Sequence, residues 1–311
     1  QVGTVGEPAV PGSRVLHHGR TVGLPVLLPQ SQRQTKLFFK LFDAGRVEGV
    51  RWVSGSTVRW GDRKRKVSTL KEPVAEYRSL RLDTAAIHRD KEEAKRRGRP
   101  YRLNLKGYFQ TLGDIGHEAG AQRDLARMFT PRAEVLTKAR ARVDFTRDLV
   151  IVMHVRMGDY TSVFHRNNFV QLPTTKYYER AMGHVMRGLQ RTSKKQQRVV
   201  LCVVTNSNQD HDKVAASGFM ANIREEYLVA GRVDDIVHVR DSTPEVDYAL
   251  LYLSAAAIIA NSTFSWWAAY TSEARKQVIV APWPWYPRVA RSEALARRLL
   301  PRSWHVVMVD A

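Results

Sequence analysis

The sequence predicts an α/β protein with a parallel sheet in its C-terminal half and helices on both faces of that sheet. Continuous apolar runs rich in β-branched residues, DLVIVMHV at 148–155 and RVVLCVVTN at 198–206, are typical of strands buried on both sides. A helical stretch at 177–190 separates them, and strands that alternate with helices of this length pair in parallel. We therefore expect an N-terminal domain at 1–147 and a doubly wound C-terminal domain at 148–311, whose ligand lies at the carboxyl ends of the strands.

The remaining elements follow from the same patterns. In the first half, 35–53 is typical of a helix or a strand–turn pair, 61–106 is basic and weakly periodic, and 116–142 is helical with a break at Pro131. In the second half, apolar runs predict further strands, and periodic apolar residues predict further helices. The strands are at 234–240, 257–261, 277–283 and in the final WHVVMVD, and the helices are at 244–256, 264–274 and 292–300.

The composition is that of a basic globular protein. Among 311 residues, 50 are Lys or Arg and 30 are Asp or Glu, giving a net charge of +20. Such a surface attracts polyanions, so a nucleic-acid-binding protein is an alternative to an enzyme that takes a phosphorylated substrate. Cys202 is the only cysteine, which excludes an intrachain disulfide and a cysteine zinc site. No run of eighteen apolar residues is present, so we expect membrane attachment only through an anchor absent from this sequence.

A first candidate site follows the strand at 148–155. His154, Arg156 and Asp159 lie within six residues, and Gly158 allows a sharp turn between them. The planar guanidinium of arginine donates two parallel hydrogen bonds and stays charged, which suits a phosphate. The pattern therefore indicates an anion site, and a structural Arg–Asp ion pair at the strand end is the alternative.

A second candidate site follows the strand at 257–261. Asn261 ends that strand, and Ser262, Thr263 and Ser265 open the next helix. Hydroxyls at such positions cap the helix by accepting backbone N–H hydrogen bonds. The remaining N–H groups and the helix dipole also form an anion site where a strand feeds a helix directly. The pattern alone does not distinguish simple helix capping from anion binding at this site.

Together these stretches resemble the α-1,2-fucosyltransferases. The resemblance is carried by HVRMGDY at 154–160, DYALL at 247–251 and AIIANSTFSWWAAY at 257–270. LKGYFQ, LPTTKYY and VVTNSN match the pattern of that family in the same order, and the likeness covers roughly 105–287.

The resemblance implies a GT-B-type enzyme, with two Rossmann-like domains facing across a cleft and the donor in the C-terminal one. It implies metal-independent, inverting transfer of L-fucose from GDP-β-L-fucose to the 2-OH of a β-galactoside. In that family pattern Arg156 holds the β-phosphate of the donor, and Asp159 orients the arginine loop. His154 and Asp247 contact the guanine, and the pyrophosphate turn comprises Asn261, Ser262, Thr263 and Ser265.

Two departures from the family pattern are visible. Met157 stands where the family has a second arginine, and the N-terminal GTVGEP at 3–8 lacks the Arg, Asn and Gln expected to face the donor. A relative that binds the donor but has lost transfer is therefore a further alternative. The candidates for the general base are Asp159, His154 and Glu7. By family default we expect a type II membrane protein in the Golgi lumen, with mitochondria as the alternative.

Overall fold

The structure is a computed structural model in which the chain forms two compact units, residues 1–130 and 131–311. The expected boundary at 147/148 falls inside the second unit, because the helix at 133–140 packs against the helix at 244–253 of that unit. The residues that the structure describes are 26–29, 41–42, 50–53, 66–71, 84–98, 101–106, 127, 129–161, 169–192, 197–272, 278–287, 289 and 291–309.

The described part of the first unit contains two pairs of parallel strands. β1 (Val26–Pro29) pairs with β2 (Val50–Val53), and β3 (Lys66–Lys71) pairs with β4 (Tyr101–Lys106). Helix α1 (Thr84–Arg96) lies between β3 and β4 in the chain and contacts β4. The described residues of the basic stretch 61–106 thus form a strand, a helix and a strand, which the weak periodicity did not indicate, because charged residues occupy most of the exposed face of α1.

The second unit is built on a six-stranded parallel sheet, which confirms the predicted α/β class. Its strands in chain order are β5 (Asp148–His154), β6 (Arg198–Val204), β7 (Asp235–His238), β8 (Ala256–Ile258), β9 (Val278–Trp283) and β10 (His305–Met308). Their order in the sheet is β10-β9-β8-β5-β6-β7. All six predicted strands of this half are present, with ends that differ from the prediction by a few residues.

Helices cover both faces of this sheet. They are α2 (Ala133–Arg140), α3 (Tyr177–Thr192), α4 (Asn208–Ala215), α5 (Gly218–Ile223), α6 (Pro244–Leu253), α7 (Thr263–Thr271) and α8 (Glu293–Ala296), with a π-helical turn at Arg224–Val229. Ile151 and Met153 of β5 share one core cluster with Met182 of α3. Val150 and Val152 are buried on the opposite face, because successive side chains of a strand alternate. No described helix is long and apolar enough to cross a bilayer.

The strand order places a topological switch point between β5 and β8. From β5 the chain moves through β6 to β7 at one edge of the sheet, and from β8 it moves through β9 to β10 at the other edge. In open α/β sheets the crevice at such a point, outside the carboxyl ends of the strands, is where ligands bind. Both candidate sites from the sequence follow the two strands that flank this crevice.

Candidate active site

The loop after β5 has a defined conformation around Arg156. Gly158 has a φ of +57°, in the left-handed region that favours glycine, and it begins a 3₁₀ turn at Gly158–Thr161. The N–H of Met157 donates to Oδ1 of Asn206 at 2.9 Å, and the N–H of Tyr160 donates to the Met157 carbonyl at 3.1 Å. The turn brings the guanidinium carbon of Arg156 to 5.1 Å from the centre of the Tyr160 ring, within the range of a cation–π contact.

The side chain of Asp159 lies outside the described residues, as does all of Glu7. The structural ion pair between Arg156 and Asp159, and the role of Asp159 in orienting the arginine loop, therefore stay predictions. One contact of the Arg156 guanidinium is with the aromatic ring of Tyr160.

His154 is a buried, neutral imidazole at the end of β5. It is 4% exposed, and its ring centroid lies 5.7 Å from that of Phe264 on α7. Burial, and secondarily the charge of Arg156, lowers the pKa of His154 to about 3. A group whose conjugate acid is so strongly disfavoured is a weak general base. Its Nδ1 is buried and has no hydrogen-bond partner within the described part of the chain.

Asn261, which follows β8, forms hydrogen bonds with the segments that follow β5 and β9. Its Nδ2 donates to the carbonyl of Val170 at 3.0 Å and to that of Trp285 at 3.2 Å. Its own carbonyl accepts the hydroxyl of Tyr160 at 3.1 Å. The amide nitrogen of Asn261 is thus used in the scaffold of the site, and the donor contact expected from the sequence stays a prediction. Trp285 is fully buried, so its ring is part of the core.

Ser262 stands at the N-cap of α7 and its side chain makes no capping hydrogen bond. It is 1% exposed, and its Oγ has no hydrogen-bond partner among the described residues. The hydroxyl of Ser265 donates to the Ser262 carbonyl at 3.2 Å, and Thr263 is buried at the first turn. The simple capping interpretation is therefore not realised by Ser262. A buried hydroxyl at the positive end of a helix is suited to an anionic ligand.

Asp247 lies in the first turn of α6, which packs against α7. It is 9% exposed, and burial raises its pKa to about 7, against smaller lowering effects of Ser242 and Arg142. Arg142 donates to the carbonyls of Arg240 and Asp241 at 3.2 and 2.8 Å, which fixes the loop that leads into α6.

Aromatic contacts connect the two candidate loops to α6. The ring of Phe264 lies 5.7 Å from that of Tyr248, the neighbour of Asp247, and 5.7 Å from that of His154. The structure thereby brings His154 and the first turn of α7 together, with the first turn of α6 beside them. The sequence analysis assigned no role to Arg142, nor to Asn206, Phe264 and Tyr160, which lie within the motifs that carry the resemblance. Asn206 carried two usable signals, because it follows a buried strand and lies within VVTNSN, one of the stretches that match the family pattern.

The chain contains one D-x-D sequence, Asp210-His211-Asp212, a pattern that elsewhere holds metal ions. Here Asp210 accepts the hydroxyl of Ser207 at 3.0 Å and pairs with Lys213 at 3.5 Å. Asp212 pairs with Arg240. Both carboxylates thus have cationic partners, and the described residues include no cluster of three or more His, Cys, Asp or Glu side chains that could hold a metal.

The fold is that of an α/β protein in which two polar loops follow neighbouring strands at the switch point of a parallel sheet, the place where such folds bind ligands. The sequence model of the family described as glycosyl transferase family 11 matches residues 138–299, and the chain belongs to that family. The matched segment contains every candidate site residue named above except Glu7. This match confirms the family membership that the resemblance predicted, and makes the chain a member of a transferase family.

Two proteins of Escherichia coli are similar in sequence. An alpha-1,2-colitosyltransferase is 27% identical over 189 residues, which cover 60% of this chain and 59% of that protein. The O-antigen biosynthesis glycosyltransferase WbnK is 26% identical over 136 residues, covering 43% of this chain and 38% of that protein. The matches therefore span less than two thirds of either relative.

Several solved structures are distantly similar. POFUT1 in complex with GDP-fucose has a TM-score of 0.47 and 11% identity, covering 86% of this chain and 92% of that one. The NodZ alpha-1,6-fucosyltransferase soaked with GDP-fucose has a TM-score of 0.42 and 16% identity, covering 83% and 86%.

Proposed function

We propose that the chain transfers L-fucose from GDP-β-L-fucose to the 2-OH of a β-galactoside, with inversion at the anomeric carbon and without a metal ion. The observation that carries this proposal is the meeting of two polar loops at the switch point of the sheet. One loop brings Arg156, and the other brings the first turn of α7 with the buried hydroxyl of Ser262. Membership of glycosyl transferase family 11 supports the class of reaction.

Arg156 and the α7 turn would bind the diphosphate. As the bond between the sugar and the β-phosphate breaks, negative charge grows on the phosphate, and a fixed guanidinium stabilises that charge. An interaction that strengthens in the transition state raises turnover more than it raises donor affinity. Ser262 would add its hydroxyl, and the α7 dipole would add the field that a metal ion supplies in other transferases.

His154 and Asp247 would face the nucleobase. Guanine offers two adjacent donors, N1–H and the N2 amino group, and a carboxylate accepts both. Asp247 is buried and its pKa is raised to about 7, so binding of such donors would favour its ionised form. His154 is neutral because its pKa is lowered to about 3, and its unused Nδ1 suits a neutral polar contact with the ligand.

The transfer itself needs a base. The acceptor oxygen attacks the anomeric carbon from the face opposite the leaving GDP, and its proton passes to a basic group. The low pKa of His154 argues against His154 as that group. We retain Asp159 as the first candidate and Glu7 as the second.

A direct test combines binding with transfer. GDP at millimolar concentration should raise the Tm of the chain through ligand linkage. Incubation with GDP-fucose and a β-galactoside should give a product heavier by one deoxyhexose, whose linkage is read by NMR, and Arg156→Ala should abolish most of it. Other GDP-linked deoxy sugars belong in the same assay, because one relative is named a colitosyltransferase. A chain that GDP does not stabilise would contradict the proposal.

The net charge of +20 favours a second candidate, a polyanion-binding protein. That function predicts affinity for RNA or DNA that falls steeply with salt and survives Arg156→Ala. A third candidate, a donor-binding relative without transfer, predicts stabilisation by GDP with no product.

A further inference from the structure

A side chain at the end of β6 holds the loop that carries Arg156. β5 and β6 pair in parallel with His154 opposite Val204, so Asn206 follows β6 beside the loop that follows β5. Its Oδ1 accepts the N–H of Met157 at 2.9 Å. The hydrogen bond therefore fixes the backbone of the residue next to Arg156.

The same side chain also fits closely against Gly158. A Cβ placed on Gly158 would lie 3.2 Å from Cγ and 3.3 Å from Cβ of Asn206, tighter than ordinary van der Waals contact. With its φ of +57°, Gly158 allows the backbone to turn against Asn206 at a distance that other residues do not allow. The loop is thus packed on Asn206 as well as bonded to it.

The other side of the loop is fixed to the end of β8. Tyr160 is 2% exposed, its ring faces the Arg156 guanidinium, and its hydroxyl donates to the Asn261 carbonyl at 3.1 Å. The Arg156 loop is consequently held from the β6 side by Asn206 and from the β8 side by Tyr160. The central position of β5 in the sheet makes this two-sided support possible.

We propose that Asn206 is a positioning residue for Arg156, which keeps the guanidinium where charge develops on the leaving phosphate. This inference rests on the proposed function. A displacement of about 1 Å of a group that stabilises a transition state can cost up to about a hundredfold in rate. Asn206 is exposed and is not part of the buried core of the second unit, so Asn206→Ala should leave the fold intact.

The test compares Asn206→Ala with Asn222→Ala. Asn222 is also exposed and also uses its amide in one side-chain hydrogen bond, to Glu179 at 2.7 Å, but it lies on α5. We expect Asn206→Ala to lower kcat for transfer about tenfold and to change KM for the donor less than about threefold. We expect the control to match the wild-type chain. Deuterium uptake of the peptide covering 154–160 should rise in Asn206→Ala alone.

A double-mutant cycle with Arg156→Ala shows whether Asn206 acts through the arginine. In that background, Asn206→Ala should change kcat less than about twofold, measured as product formed over long incubations. An equal loss in both backgrounds, or unchanged deuterium uptake at 154–160, overturns the inference while leaving the proposed function in place. A folded wild-type chain that transfers no sugar overturns the proposed function, and this inference with it.

Discussion

Replacing Asp247 with asparagine should stabilise the unliganded chain above pH 7 and weaken its affinity for GDP. The folded pKa of Asp247 is about 7, raised mainly by burial from 3.8. The carboxyl group of Asp247 binds its proton more tightly in the folded state than in the unfolded state. The contribution of this proton to stability is therefore complete below pH 3.8 and is lost as the pH rises through 7. Three pKa units at about 1.36 kcal/mol each give a full loss of about 4 kcal/mol.

The measurable part of that loss falls between pH 5.5 and pH 8. Over this window the free energy of unfolding of the wild-type chain should fall by about 2 kcal/mol relative to Asp247→Asn. Urea unfolding, followed by the fluorescence of tryptophans such as Trp283 and Trp285, which are buried in the second unit, measures it. The difference between the two proteins isolates Asp247 from other titrating groups. Parallel profiles over this range would refute the argument from burial.

The affinity for GDP should rise with pH, whereas the stability of the unliganded chain falls with pH. Only about a tenth of Asp247 side chains are ionised one pH unit below their pKa, and only the carboxylate accepts both guanine donors. Calorimetry should therefore show wild-type affinity falling up to about tenfold from pH 8 to pH 6, beyond any change seen in Asp247→Asn. The variant should bind GDP more weakly than the wild-type chain at pH 8. Equal affinity of the two proteins at pH 8 would remove Asp247 from the nucleobase site.

Three further substitutions test other parts of the site. Ser262→Ala removes a buried hydroxyl that has no partner in the described structure, so the free energy of unfolding should change by less than about 1 kcal/mol. Calorimetry should show a lower affinity for GDP, and an unchanged affinity would count against an anion site at the start of α7. Gly158→Ala should lower the free energy of unfolding, measured with urea, by about 1–3 kcal/mol, because the φ of Gly158 is +57° and the added methyl group would meet Asn206. An unchanged free energy of unfolding would mean that the turn rearranges readily. Burial lowers the pKa of His154 from 6.5 to about 3, so the folded state loses stability as the pH falls below 6.5. Between neutral pH and pH 5, the free energy of unfolding should fall by about 2 kcal/mol less in His154→Gln than in the wild-type chain. Equal acid sensitivity of the two proteins would show that His154 is not the cause.

The sheet of the second unit was predictable because its strands are continuous apolar runs. DLVIVMHV and RVVLCVV are so uniformly apolar that only a strand buried on both faces accommodates them. Helices α4 and α5 were not predicted, since α4 begins within the polar stretch TNSNQDHD at 205–212 and each helix presents only a few apolar residues to the core. α4 is defined instead by a local signal, the Ser207 side chain accepting the N–H of Asp210.

The positions of His154, Arg156 and Ser262 were predictable in the same sense, as polar residues that follow buried strands. The partners that hold them were not predictable. The amide of Asn261 reaches Val170, 91 residues earlier in the chain, and Arg142 holds the carbonyl of Asp241, 99 residues later. Such contacts depend on the order of strands in the sheet, and the sequence does not specify that order.

The hydrogen bond from Tyr160 to the Asn261 carbonyl spans 101 residues, which has a consequence for how the site forms during folding. Because pairing of the intervening strands shortens the segment that remains to be closed, we expect this contact to form late in folding. Neither half of the crevice can adopt its final geometry on a nascent chain that ends before β8. If the contact forms after the rate-limiting barrier and the proposed nucleotide binds the completed site, nucleotide added during refolding should leave the rate of the main folding phase unchanged and should slow unfolding instead.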